Sequence, residues 1–333
     1  VADTIAINAR VGLNEGIQGW RLEVNNEGQG VRKTFEGRGP VPGQIVWDGT
    51  TDRGNRTEDG KYSATLDVTY TKGNHPLTRS ATFLVQAGPP QLALDMTPQP
   101  FSPDNDGTND ELLINLGVKS ISPVSEWTLD VLDPEGHRFI LFSGKGAPSA
   151  QLKWDGRSGT GELVQSASDY TAVFTAKDNL GNASTVKKSL AVDVLVIKDG
   201  DRLRIIIPSI TFAPNSPDFL NGIDADKATK NVAVLKRLSE IFTKYQRYKI
   251  GIEGHAVMIN WADTAKGQKE QDSELLPLSK KRADAVKDYL AKLGIASARI
   301  TTEGLGGGRP IVPFSDLDNR WKDRRVEFWL DRE

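Results

Sequence analysis

The chain reads as a multi-domain protein: two consecutive all-β sandwiches, then a two-layer α/β domain of order β-α-β-α-β-β. Three observations lead there. The first half carries one pattern twice. Each copy alternates apolar and polar residues with the period of a strand. From about Asp201 the pattern changes to strands separated by helical spacing. The expected boundaries are 1–90, 91–198 and 199–333, and 333 residues suffice for a core in each unit.

The duplication is legible in landmarks. "AINARVGLNEGIQGWRLEV" (Ala6–Val24) aligns with "LINLGVKSISPVSEWTLDV" (Leu113–Val131), matching Ile7 with Ile114, Asn8 with Asn115 and Trp20 with Trp127. Further on, Trp47-Asp48-Gly49 matches Trp154-Asp155-Gly156. The spacing from Trp20 to Trp47 equals that from Trp127 to Trp154, so the copies stay in step. "DGKYSATLDVTY" then matches "ASDYTAVFTAKD" after a shift of one residue. "WRLEV" and "WTLDV" alternate as half-buried strands do, while "WDG" and "DNLG" are turn chemistry. The four tryptophans are expected in the cores. The second copy opens with "FSPDNDGTN"; its counterpart in the first is expected upstream of residue 1, with Asp3 opposite Asp110. A longer natural chain is therefore expected, with any signal segment or lipid anchor outside this stretch.

Asp104, Asp106 and Asp110 crowd around Gly107. Two readings are open: an Asx-turn cluster that starts a strand, or a calcium site. The spacing D-x-D-G-x-x-D is not that of an EF-hand, and no Glu closes the loop at its twelfth position.

In the last third, "RLRIIIPSITF" reads as a strand. "DADKATKNVAVLKRLSEIFTKY" follows with Val232, Leu235, Leu238, Phe242 and Tyr245 at helical steps. "YKIGIEGH" is a second strand. "LSKKRADAVKDYLAKLGI" is a second helix, with Ser279 as N-cap and Gly294 just past its end. "ARITTEGLG" and "RRVEFWL" close the domain as strands. "GLGGGRP" (Gly304–Pro310) lacks the lysine of a phosphate-binding loop and reads as a turn.

Composition narrows the function. Apolar residues are 38%, charged residues 26%, and the formal net charge is −2, so no basic excess points to nucleic acid. There is no cysteine, which removes disulfides, thiolate metal sites and cysteine nucleophiles together. No apolar run approaches the ~20 residues of a membrane-spanning helix. Three scattered histidines and no matched acid pair leave no catalytic set, and no cofactor is expected.

Two resemblances add to this. The WDG turns, the Gly/Asp-x-Tyr strand and "DNLGN" (Asp178–Asn182) resemble the immunoglobulin-like modules of bacterial extracellular proteins, such as the small domain of the flagellar-hook cap protein. The run "LSKKRADAVKDYLAKLGI", then "RITTEGLGGGRPIV", then "DRRVEFWL" resembles the C-terminal domain of OmpA, shared with MotB and peptidoglycan-associated lipoproteins. That resemblance implies a site in which an Asp after the strand end G-H-T-D, and the Arg of L-S-x-x-R-A, grip the zwitterionic diamino acid of a peptidoglycan stem peptide. The Arg is kept as Arg282. The Thr position holds Ala256, the Asp position Val257, and a usual Asn is replaced by Leu275. His255 is then a strand-end landmark, structural rather than catalytic. With Ser279 as N-cap, Arg282 is expected in the first helical turn, where the helix dipole disfavours a cation. The segment from His255 to Leu278 looks longer than usual and polar, a solvated loop from which Asp263 is the candidate replacement acid.

The expectation is a non-catalytic envelope protein of the periplasm, with outer-membrane association open, whose peptidoglycan grip is lost or altered. Other envelope proteins are the remaining partner class. A working wall anchor, or an adhesin acting through the β modules, are the alternatives.

Overall fold

A computed structural model describes residues 4–332. Asp3, expected opposite Asp110, lies outside the described residues. The N-terminal region is strand-rich, with several antiparallel sheets. Its first part orders Gly30–Arg38, Ile17–Asn26, Gly60–Tyr70 and Leu77–Arg79 in one sheet, with Phe83–Val85 also paired to Gly60–Tyr70. A two-stranded sheet, Ile5–Asn8 with Gln44–Trp47, shares its core with this one around Leu22, Val24, Trp47 and Tyr62. The next part has a four-stranded sheet (Arg138–Lys145, Val124–Leu132, Asp169–Asp178, Ala183–Ala191) and a three-stranded sheet (Gln151–Trp154, Leu112–Lys119, Gln91–Thr97). Their core holds Phe101, Ile114, Leu129, Trp154, Tyr170 and Phe174.

The landmark tryptophans have matching surroundings in the two parts. Trp47 Nε1 donates to the Thr50 carbonyl at 2.7 Å, and Trp154 Nε1 to the Arg157 carbonyl at 2.7 Å. Trp20 lies flat on Gly37 and Trp127 on Gly144. A Cβ would come within 2.7 Å of the first ring and 2.8 Å of the second, so each ring occupies space that only glycine leaves. A Gln86 side chain fastens the two parts: its amide donates to Ser120 Oγ, and its carbonyl accepts from Ile121 N (3.1 Å) and Ser122 N (2.8 Å).

The C-terminal α/β domain has one mixed five-stranded sheet in the order Ile197–Asp199, Arg202–Ile207, Val326–Arg332, Tyr248–His255, Ile300–Gly306. Only the last pair is parallel. Helix α1 (Ala225–Lys244) and helix α3 (Leu276–Lys292) cover one face, where Ile205, Ile250, Ile252 and Phe328 meet Leu235, Leu238, Phe242 and Val286. The apolar stripe of α1 forms as its spacing predicts at Leu235, Leu238 and Phe242. Buried Asn231 was not expected.

Three elements depart from the sequence reading. "RLRIIIPSITF" is a strand only to Ile207, then turns into a long segment ahead of α1. A short strand, Ile197–Asp199, precedes it as the other arm of a hairpin. The supposed solvated loop is ordered: helix α2 (Thr264–Glu270) and a π-turn (Gln271–Leu275) run directly into α3. Helix α3 therefore begins before Ser279, which is no N-cap. Its backbone belongs to a helix that already has hydrogen-bonded turns upstream.

The connector between the second core and the α/β domain contributes to both. Val192 and Leu195 pack into the core of the β region, and Val194 into the α/β core. Three ion pairs span the same junction: Lys230 with Asp169, Arg237 with Asp193, and Lys322 with Glu162. Asp104 accepts from the connector's Val196 N at 3.0 Å. Asp110 accepts from Asn105 N (2.6 Å) and Gly107 N (2.7 Å), and Asp106 from Thr108 N (2.8 Å). Of these contacts only that of Asp106 with Thr108 N has the i to i+2 form of an Asx turn; Asp104 Oδ1 has no hydrogen bond, and one oxygen from each of the three carboxylates lies within 4.8 Å of the others. Burial, then the like charges of Asp106 and Asp110, push the Asp104 carboxyl above its ordinary value.

Candidate functional site

The candidate residues gather at one end of the sheet, where Tyr248–His255 and Ile300–Gly306 stop. Helix α3 touches these two strands backbone to backbone. A Cβ on Gly254 would lie 2.1 Å from the Ser279 carbonyl oxygen, and one on Gly304 would lie 2.4 Å from Lys280 N. Ser279 is fully buried at this contact. Its Oγ donates to the Leu276 carbonyl at 3.1 Å and accepts from Gly306 N at 3.0 Å. The serine thus fixes the start of the 306–325 segment against the helix.

Strand alternation decides where His255 points. Ile250, Ile252 and Gly254 face the helices, so Gly251, Glu253 and His255 face the other way. His255 is 3% exposed on that opposite face. Its Nε2 is 3.7 Å from Glu253 and 3.7 Å from Glu327, and neither ring nitrogen has a hydrogen-bond partner. Glu327 accepts from Arg204 Nε at 2.8 Å and from Arg325 Nε at 2.6 Å. Arg309 stands 3.6 Å from Glu253. Burial, followed by the charge of Arg325, holds the His255 imidazole down at about 4. The ring is therefore neutral at pH 7.

Glu253, His255 and Glu327 have the spacing of a metal triad, with one ligand atom from each within 4.8 Å of the others. The charges argue against a cation. Three guanidiniums surround two carboxylates, and the Glu327 oxygen nearest the ring is already taken by Arg325. The arrangement is a buried ionic cluster that ties three strands together.

Arg282 belongs to the other side of the sheet. It is the seventh residue of α3 rather than part of a first helical turn, so the dipole penalty expected for it does not apply. Its Nε donates to the Ser216 carbonyl at 3.0 Å, and its guanidinium stacks 4.8 Å from the centre of the Phe212 ring. Asn231 holds that loop in place: its side chain donates to the Thr211 and Phe219 carbonyls at 2.8 and 2.7 Å and accepts from Thr211 N at 2.9 Å. Burial, then the neighbouring charge of Arg324, lowers the Arg282 guanidinium from its ordinary value. Arg324 is exposed. Among the described residues, neither arginine has a carboxylate partner.

Ala256 is buried and extends the strand pairing, its N–H donating to Gly306 O at 2.8 Å. Val257 is half-buried. Leu275 is buried in the π-turn. It precedes Arg282 by close to two helical turns, about 10 Å along the axis. The set read from the sequence is therefore split: Leu275 and Arg282 ride one helical segment, Ala256 and Val257 leave the strand end, and His255 lies behind the sheet.

Asp263 is not a free acid. It caps α2, accepting from Lys266 N at 3.1 Å, and pairs with Lys266 Nζ at 3.2 Å. The backbone bond to Lys266 depresses its carboxyl.

Two residues that the sequence reading missed organise the site. Glu270, buried at the end of α2, accepts from Ile259 N (3.0 Å), Asn260 N (2.8 Å) and Asn260 Nδ2 (3.0 Å). Gln271 accepts from Gly307 N at 2.8 Å and donates to Leu305 O at 2.9 Å. A Cβ on Gly306 would meet Gln271 at 2.5 Å, and one on Gly307 would meet Met258 at 2.9 Å. The glycines of "GLGGG" admit these straps, which is a packing role.

A mixed sheet covered by two helices on one face, with glycines under α3 and an arginine stacked over the edge loop, frames the candidate site. Residues 211–324 match the OmpA family, and this stretch is an OmpA-family domain. Among curated relatives, the peptidoglycan-associated lipoprotein of Mesorhizobium japonicum is 31% identical over 106 residues, 32% of this chain and 55% of that protein. Outer membrane porin F of Pseudomonas fluorescens is 34% identical over 93 residues, 28% of this chain and 26% of the porin. The peptidoglycan-binding protein ArfA of Mycobacterium bovis is 46% identical over 52 residues, 16% of each chain. The chain thus spans about half the first relative's length and less of the others. A solved MotB-like protein from Desulfovibrio vulgaris aligns at 29% identity with a TM-score of 0.33, covering 41% of this chain and 78% of that one. Among the described residues, no helix is long and apolar enough to cross a membrane.

Proposed function

We propose that this chain is a non-catalytic cell-envelope protein in which two immunoglobulin-like modules carry an OmpA-like domain whose peptidoglycan grip is weakened or altered. The modules would span 1–90 and 91–198 and arise by tandem duplication; the matched tryptophan environments support that origin. The third unit, 199–333, would face the wall from the periplasmic side. The observation that carries the reading is that Arg282, among the described residues, has no carboxylate partner. In the family resemblance this arginine takes a ligand carboxylate while a nearby Asp takes the amine. Here the guanidinium is half-buried beside Arg324, and the positions that would supply polar groups are Ala256, Val257 and Leu275. A cationic pocket without its acid still attracts a carboxylate but repels an ammonium group. Losing one charge-assisted hydrogen bond weakens binding about tenfold to a hundredfold.

Co-sedimentation of the whole chain with insoluble peptidoglycan tests this. Weak or absent retention is expected. Clear retention that Arg282→Ala abolishes would mean a working anchor and overturn the proposal. Restoring chemistry is the complementary test: Val257→Asp with Ala256→Thr is expected to raise affinity for a free diamino acid by roughly one to two powers of ten, read by titration calorimetry. A folded double variant that binds no better than the parent would mean that the α2 segment has remodelled the pocket.

A further inference from the structure

The two strand-rich parts build one pair of strands in the same register. Ile5 faces Trp47, Ile7 faces Ile45 and Asn8 faces Gln44, as Leu112 faces Trp154, Ile114 faces Leu152 and Asn115 faces Gln151. A side-chain bond recurs with them: Gln44 Nε2 donates to Asn8 Oδ1 at 3.2 Å, and Gln151 Nε2 to Asn115 Oδ1 at 3.0 Å. The two pairs differ on the far side. In the second part Gln91–Thr97 adds as an antiparallel third strand, with Met96 opposite Ile114 and Leu94 opposite Leu116. In the first part, among the described residues, Ile5–Asn8 pairs only with Gln44–Trp47, and its other edge is free.

Packing follows this difference. Leu112 and Ile114 are 0% exposed, whereas the matching Ile5 and Ile7 are only half-buried. The segment beyond the third strand fills a further space. Phe101 is fully buried with its ring 5.7 Å from that of Trp154, and a Cβ on Gly156 would come within 2.6 Å of Pro103. Gly49 is the matching glycine, at φ +77° against +78°, and a Cβ there would meet nothing within 4 Å. The edge is also undefended. Strand edges that face water usually carry charges that deter pairing. Gly30–Arg38 and Arg138–Lys145, at the edges of the two larger sheets, carry Arg32 and Lys33, and Arg138 and Lys145. Ile5–Asn8 carries no charge.

We propose that the free edge of Ile5–Asn8 is a strand-acceptor site for an extended segment with the chemistry of Gln91–Pro103. Backbone groups of that segment pair antiparallel with the edge, as added strands do. Its alternate apolar side chains cover Ile5 and Ile7, and its aromatic ring and proline lie over Trp47 and Gly49. The donor is the first part's own counterpart of Gln91–Pro103, which the repeat expects ahead of Ile5. A second copy of the chain is a poor donor, because its Met96 and Phe101 are buried in its own core. The proposal rests on the duplication and not on the Arg282 pocket, so peptidoglycan retention and the experiment below succeed or fail independently.

The probe is a synthetic peptide with the sequence of residues 91–106, added to the whole chain. Hydrogen exchange is read at the amides of Ile5–Asn8 that face the free edge. Saturable slowing there by about tenfold or more is expected. A peptide carrying Met96→Asp and Phe101→Ala is expected to give none. The second arm places the donor in the same chain, with a copy of residues 91–110 grafted ahead of Thr4. This variant is expected to show the slowed exchange by itself, to unfold at a higher temperature than the parent, and to be unaffected by added peptide. The same two substitutions in the grafted copy should abolish the gain. The proposal is overturned if neither peptide nor graft slows exchange at this edge, or if the substituted forms act equally well. It is also overturned if slowing grows with the concentration of the chain alone, since two copies would then be pairing edge to edge.

Discussion

His255 sits between two carboxylates without a hydrogen bond to either, and this gives the stability a specific pH dependence. The unfolded imidazole titrates near 6.5 and the folded one near 4. The folded state therefore binds fewer protons between these values, and stability is fully present above 6.5 and falls as pH drops toward 4. Between pH 7 and pH 5 the loss from this one group is about 2 kcal/mol. Urea unfolding at the two pH values measures it. His255→Gln should shrink the difference by about that amount, and an unchanged pH dependence would refute the assignment. The orientation behind this behaviour was legible. Ile250 and Ile252 mark the buried face, so period two sends His255 to the opposite one. Its surroundings were not, because Arg204, Arg325 and Glu327 come from segments distant in sequence. Arg282 was legible as the retained arginine, but its stacking on Phe212 depends on a loop fixed by Asn231, a polar residue with no apolar signature.

At the scale of elements, the seam between α3 and the parallel strand pair is the most constrained feature. Gly254→Ala would force a methyl into the Ser279 carbonyl oxygen and is expected to cost about 3 kcal/mol or more, read as a lowered unfolding midpoint. Equal stability to the parent would show that the helix can lift without penalty. The α2 segment has a more local effect. Glu270→Ala removes the acceptor for three N–H groups and should cost about 1.5–3 kcal/mol, with faster amide exchange at Ile259 and Asn260. Unchanged exchange there would mean that the strap is dispensable. This segment was the least legible part of the domain. "ADTAKGQKEQDSELLP" is polar because most of its helix faces water, and its buried members, Gly267, Glu270 and Leu275, form no readable stripe. Pro277 stands where the π-turn passes into α3, two residues ahead of the Ser279 that reads as a cap. The strands Tyr248–His255 and Val326–Arg332 and helix α1, whose apolar periods are regular, appeared where the sequence put them.

At the scale of the molecule, the chain has an apolar core in each strand-rich part and a third in the α/β domain. The two joints differ in kind. The first rests on Gln86 and its bonds to residues 120–122, all polar. The second threads alternate connector side chains into two cores and adds ion pairs. Arg237→Ala removes the bidentate contact of a partly exposed guanidinium with the mostly buried Asp193 and should cost about 1 kcal/mol or more, mostly at the second joint. Limited proteolysis between residues 190 and 200 should then accelerate while cleavage near residue 88 does not; equal acceleration at both would argue against a local effect. A tether that carries load from one end of this chain to the other would meet these joints in series. Pulled lengthwise, the Gln86 joint, held by polar bonds alone, is the weaker link, whereas Val194 and Leu195 act as a dowel set into two blocks. Tension applied to the C-terminal domain would reach the second β region without slack, and give would come near residue 88.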